Sequence, residues 1–198
     1  MNINSAIIYG TEILKKNNIK QPQLDCEILL AEVLKRDRKY VIINSHQNLK
    51  INYIKIYEKL IEQRSLGKPI AYLTNKKDFW KSEFRIQEGS LIPRPDTEIL
   101  IQETLKILKN KKILHILDIG VGSGCILLSI LKEKPGFYGT GIDISREAIN
   151  LSNINAKKLG VKNKLRLIKT NVDNFSFGKY DLIISNPPYI KKTELKYL

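Results

Sequence analysis

Cysteine is scarce. The 198 residues contain only Cys26 and Cys125, and neither belongs to a Cys-x-x-Cys pair. The two histidines, His46 and His115, are just as isolated, so local spacing assembles no metal site and each of the four reads as structural. No apolar run approaches the length that crosses a bilayer, and the amino end lacks a signal-peptide pattern. A soluble, cytoplasmic, monomeric protein is expected. Internal repeats and low-complexity linkers are also missing. Acidic residues are few, 20 against 34 Lys and Arg, leaving a formal charge of +14. The excess is mostly Lys, scattered beside abundant Asn and Ile, a bias that A·T-rich coding would also produce. There is no long basic block, only pairs such as Lys111-Lys112 and Lys157-Lys158. The charge is therefore weak evidence for a nucleic-acid partner, and none is expected.

What is present suffices for one good core or two small domains, with 42% hydrophobic residues. Residues 1–68 read as a small helical bundle. Ser5 is placed to cap a first helix, Pro22 suits the first position of a second, and Asn52 opens another that ends at Gly67 and Pro69. Residues 69–96 change character. Phe79, Trp80, Phe84 and Ile86, separated by polar residues, predict a β-hairpin bridge. In Ile92-Pro93-Arg94-Pro95-Asp96-Thr97-Glu98, Arg94 is held extended between two prolines, and Asp96 or Thr97 can cap the next helix.

Residues 97–198 then alternate strand and helix. Strands are predicted over 113–119, 137–142, 165–169 and 180–185, with helices over 125–131 and from a Ser145 cap to about 159. Such alternation predicts a parallel sheet with crossover helices, an α/β fold. Asn186-Pro187-Pro188-Tyr189 follows the last strand, where open α/β sheets bind ligands. The prolines remove two N–H donors and leave backbone carbonyls free to accept. Asn186 adds a side-chain acceptor and Tyr189 a flat ring. A rigid cup of acceptors with an aromatic wall suits a planar NH2 group.

At the end of the first strand, Asp118-Ile119-Gly120-Val121-Gly122-Ser123-Gly124 opens a helix. Its glycines let the backbone turn sharply beside a ligand, and the helix start offers free N–H groups to an anion. Asp143 ends the second strand, where a carboxylate can accept from both hydroxyls of a ribose. The dinucleotide fingerprint would need glycine at the position of Cys125, so a dinucleotide is the minority reading and another nucleoside-containing cofactor the main one.

Asp-x-Gly-x-Gly-x-Gly at 118–124, the acid at 143 and Asn-Pro-Pro-Tyr at 186–189 resemble class I S-adenosylmethionine-dependent methyltransferases that act on amino groups. Pro69-Ile70-Ala71-Tyr72-Leu73, Phe79-Trp80 and the 92–98 stretch, with the helical amino-terminal region, narrow the resemblance to bacterial release factor glutamine methyltransferases. It implies a Rossmann-like parallel-sheet methyltransferase domain with strand order 3-2-1-4. Because the family continues through three more strands, the resemblance also implies that this domain is incomplete. It implies a substrate-recognition role for residues 1–68 and peptide chain release factors as protein partners. Asp118, Gly120, Val121, Gly122, Ser123 and Gly124 would hold the methionine part of S-adenosylmethionine, and Asp143 its ribose. Asn171-Val172 stands where the family usually places an acid against adenine, with Asp173 two residues on. Asn186, Pro187, Pro188 and Tyr189 would carry catalysis, with Asn186 also near the cofactor. The implied product is N5-methylglutamine in the Gly-Gly-Gln segment. An adenine N6-methyltransferase and a non-catalytic remnant are the alternatives.

Overall fold

A computed structural model describes residues 1–187, which divide into two units, Met1–Asn75 and the part from Lys76 onward. No helix among the described residues is long and apolar enough to cross a membrane.

The first unit is helical: α1 (Ile3–Lys16), α2 (Pro22–Leu34), α3 (Arg38–Ile43), α4 (Ile51–Ser65) and α5 (Ile70–Thr74). Ser5 is not the cap of α1. The cap is Asn2, whose Oδ1 accepts the Ser5 N–H at 2.8 Å, because a cap must lie two or three residues before the N–H it serves. Pro22 does open α2, where its missing N–H costs nothing. Helix α4 starts one residue before Asn52, at Ile51. The core interleaves Ile3, Ala6 and Leu14 with Cys26, Leu29, Leu30, Tyr57 and Ile61. Two α2 carboxylates inside this unit are paired. Asp25 accepts from Arg64 at 2.7 Å and Glu27 from Arg38 at 2.6 Å. Residues 70–74, inside the stretch read as a β-hairpin bridge, form a short helix.

The second unit opens with the hairpin β1 (Lys76–Phe79) and β2 (Ser82–Arg85), antiparallel and joined at Trp80-Lys81. Phe79 and Phe84 pack edge to face beneath it, both fully buried. After the proline stretch come α6 (Glu98–Ile107), β3 (Leu114–Ile119), α7 (Cys125–Glu133), β4 (Phe137–Asp143), α8 (Arg146–Lys158), β5 (Leu165–Lys169) and β6 (Leu182–Ser185). The four long-range strands are parallel in the order β5-β4-β3-β6, the 3-2-1-4 arrangement. Strand β6 starts at Leu182, two residues later than expected. Asp181 closes its start instead, donating its N–H to the His115 carbonyl and accepting the His115 N–H through Oδ2. Among the described residues β6 pairs with β3 alone. With β3 and β6 adjacent and parallel, the loops that leave their carboxyl ends lie side by side.

Candidate functional site

The turn after β3 owes its shape to three left-handed residues: Gly120, Gly122 and Gly124 have φ of +75°, +56° and +80°. Side chains with a Cβ rarely adopt these angles. Gly124 is also crowded. A Cβ there would lie 2.7 Å from Leu128 and 3.0 Å from Ser152. Next to Gly120, by contrast, a Cβ would meet nothing within 4 Å, so that side of the turn is open.

Polar side chains hold the turn from behind. The N–H groups of Gly120 and Val121 both donate to the Ile142 carbonyl at 2.9 Å. Asp143 Oδ2 accepts the Gly122 N–H at 3.0 Å, and its Oδ1 accepts the Ser145 N–H at 2.9 Å. Each oxygen retains a lone pair for a further donor. From α8, Ser152 Oγ donates to the Gly122 carbonyl at 2.8 Å. Asn155, three residues on, donates through Nδ2 to the Ser123 carbonyl at 2.9 Å and the Arg85 carbonyl at 3.0 Å. Its Oδ1 accepts the Arg85 N–H at 2.7 Å. Both side chains are fully buried. Sequence reasoning passed over Ser152 and Asn155. The available signal was two polar residues on a helix face shared with Ile149 and Ala156.

Asp118 sits at the end of β3, 1% exposed, and its Oδ1 has no hydrogen-bond partner among the described residues. Burial pushes its carboxyl up to about 7; the Leu127 backbone N–H opposes this and the nearby Asp143 charge adds to it.

The proline stretch is not a plain helix stop. Pro95–Thr97 form one 3-10 turn before α6, and neither Asp96 nor Thr97 makes a side-chain cap. The Thr97 hydroxyl is used elsewhere: its Oγ1 accepts from Asn186 Nδ2 at 3.3 Å. With the amide nitrogen committed to Thr97, Asn186 Oδ1 has no hydrogen-bond partner among the described residues. Glu98, the last residue of the stretch, accepts the Trp80 N–H at 2.7 Å, and Glu133 accepts the Trp80 indole N–H at 2.9 Å. These two carboxylates pin a tryptophan whose φ of +52° is itself unusual. The Phe-Trp and proline motifs are thus parts of one bonded assembly.

The assembly encloses a cavity of about 630 Å3 at the carboxyl end of the sheet. Gly120, Val121, Gly122 and Ser123 line one side, Asn186 and Pro187 another, and Pro93, Arg94 and Thr97 a third. Cys125 and Ile126, at the start of α7, complete the side next to the turn. Asp118, Gly124, Asp143, Asn171 and Val172 do not line it. Asn171 lies exposed after β5, its Oδ1 already accepting the Asp173 N–H at 3.3 Å. Pro188 and Tyr189 lie outside the described residues. No cluster of metal ligands occurs among the described residues.

A parallel sheet with an open glycine turn and an acceptor-bearing loop after the neighbouring strand defines a methyltransferase domain. Residues 96–198 accordingly match the family described as methyltransferase small domain, and residues 5–74 match the PrmC N-terminal domain. The release factor glutamine methyltransferase of Buchnera aphidicola subsp. Baizongia pistaciae is 38% identical over 99% of this chain and 70% of its own length. The enzyme of that name from Clostridium acetobutylicum is 35% identical over 100% of the chain and 70% of its own. A bifunctional methyltransferase of Rickettsia conorii is 34% identical over 97% of the chain, which spans 41% of that longer protein. The chain belongs to the release factor glutamine methyltransferase family.

Proposed function

We propose that this protein transfers the methyl group of S-adenosylmethionine to the side-chain amide nitrogen of the glutamine in the Gly-Gly-Gln segment of peptide chain release factors. The observation that carries the reading is the meeting of Asn186 and the glycine turn on one cavity, with the Asn186 amide bonded to Thr97.

The residues fit the cofactor. The open side of Gly120 accepts close approach, the first turn of α7 presents N–H groups to a carboxylate, and Asp143 has lone pairs left for two ribose hydroxyls. Asn171 and Val172, the residues proposed to face adenine, lie just past the carboxyl end of the next strand and outside the cavity lining. Asp118, at the end of β3, has one oxygen unpaired among the described residues. When bound, S-adenosylmethionine supplies an electrophilic methyl group on sulfur.

An amide nitrogen is a poor nucleophile, because its lone pair is delocalised into the carbonyl. Asn186 Oδ1 and the Pro187 carbonyl each accept one N–H of the substrate amide. These bonds would orient the nitrogen toward the glycine-turn side of the cavity and favour the positive charge that develops there. Pro188 and Tyr189 complete the proposed catalytic motif in sequence. The extra proton leaves after transfer, so no dedicated base is required. The helical unit, residues 1–75, contributes recognition of the release factor.

The experiment is transfer of labelled methyl to a purified release factor, to the same factor with the glutamine replaced, and to DNA. Label on the first alone is expected. Asn186→Ala should lower kcat by about 10²–10³, the usual loss when one positioned polar group is removed, while cofactor binding persists. Label on DNA, or an unimpaired Asn186→Ala enzyme, would sink the assignment.

A further inference from the structure

A second cavity, of about 510 Å3, opens at the amino ends of β3, β4 and β5. The glycine turn follows the carboxyl end of β3, so a strand length of roughly 20 Å separates the two sites.

Its wall is a row of the parallel ladder. His115 on β3 pairs in register with Tyr138 on β4, and Lys164 comes one residue before the Gly139–Leu165 pair that joins β4 to β5. The next row on the same face holds Thr140 and Arg166. The His115 and Tyr138 rings stack, with centroids 5.5 Å apart and planes 20° from parallel. The Arg166 guanidinium lies 4.2 Å over the Phe177 ring. Tyr138 remains 46% exposed and Phe177 57%, so these aromatic faces are turned to water rather than spent on the core.

The charge is one-sided. Lys164, Arg166 and Lys179 line the cavity, and no carboxylate does among the described residues. Asp181, close by in sequence, is committed to the His115 backbone N–H at 2.8 Å. A nucleobase stacks on any aromatic face, a guanidinium or ammonium takes phosphate oxygens, and the volume suits one small ligand. We propose that this cavity binds a nucleotide, recognised through its base and its phosphate. The base stacks on the Tyr138–His115 pair, and the phosphate is taken by Lys164, Arg166 and Lys179. The ligand is either a free nucleotide or a nucleotide within an RNA strand. The methyltransferase reading is not needed for this assignment.

The test is calorimetry on the full chain saturated with S-adenosylhomocysteine, which keeps the probes out of the first cavity. The probes are GMP, guanosine, inorganic pyrophosphate and a 5′-phosphorylated RNA octamer. GMP should bind at least about tenfold tighter than guanosine or pyrophosphate, since each of those lacks one of the two contacts. Tyr138→Ala and the double variant Lys164→Ala/Arg166→Ala should each weaken GMP about tenfold while S-adenosylhomocysteine affinity is unchanged. An octamer that binds tighter than GMP, with a salt dependence that flattens in the double variant, identifies RNA as the source; GMP at least as tight identifies free nucleotide. Thermal melting of each variant confirms that these surface changes leave the fold intact. The proposal is overturned if neither GMP nor the octamer binds at about 5 mM, if pyrophosphate matches GMP, or if the folded variants bind like the parent.

Discussion

Asn155→Ala should loosen the whole methyltransferase unit. The side chain is fully buried and makes three hydrogen bonds, two to Arg85 and one to the Ser123 carbonyl. Alanine would strand one N–H and two carbonyls between α8, β2 and the glycine turn. An unpaired buried group costs about 1–3 kcal/mol, and water entering the small gap recovers part of it. The expected loss is about 3–5 kcal/mol, a large fraction of the 5–15 kcal/mol typical of a domain. Urea unfolding followed through Trp80, the single tryptophan, reads this directly, because Trp80 sits in the turn of the hairpin whose second strand ends at Arg85. Freeing the Ser123 carbonyl should also cost about tenfold in S-adenosylhomocysteine affinity, as the turn gains alternative conformations. A loss under about 1 kcal/mol, within the range of an ordinary surface change, would refute the claim that Asn155 holds the turn to the hairpin.

Three further outcomes follow from the same geometry. Thr97→Val removes the partner of Asn186 Nδ2 and should lower kcat about tenfold with cofactor affinity unchanged, while Thr97→Ser retains activity; equal kcat in all three would show that Thr97 does not orient the amide. Asp118, whose carboxyl is pushed from 3.8 to about 7, binds its proton more tightly folded than unfolded, so its contribution is greatest below about pH 4 and is lost as pH rises through 7. Asp118→Asn, neutral throughout, should therefore gain stability relative to the parent between pH 4 and 8, by up to about 4 kcal/mol; a difference that does not change with pH would contradict the buried-acid account. Arg64→Ala leaves Asp25 without its charged partner in the helical unit and should cost about 2–4 kcal/mol by circular dichroism melting, whereas a surface-like loss below 1 kcal/mol would mean that solvent already screens the pair.

Local rules carried much of the fold. Helix and strand periods, Pro22 at a helix start, Ser145 at a helix cap and the glycine punctuation are short-range signals, and the strand alternation with them predicted the parallel sheet, whereas its order came from the family resemblance. The misplaced details are also local. Asn2 outcompeted Ser5 for a cap because it reaches the right N–H, and residues 70–74 curl into a helix after Pro69, whose fixed φ begins a helix as readily as an extended stretch.

Residue order alone specified the chemistry on offer: clustered glycines after one strand, an acid after the next, and an Asn-Pro acceptor loop after the fourth. Spacing along a chain reports what each residue can do. Tertiary structure alone decided which of them work together. Thr97 reaches Asn186 across 89 positions, Asn155 reaches Arg85 across 70, and Asp118 acquires its raised pKa only when helices exclude water from the end of β3. These are contacts between surfaces that exist only after the sheet has formed, and no window of sequence contains both sides of them.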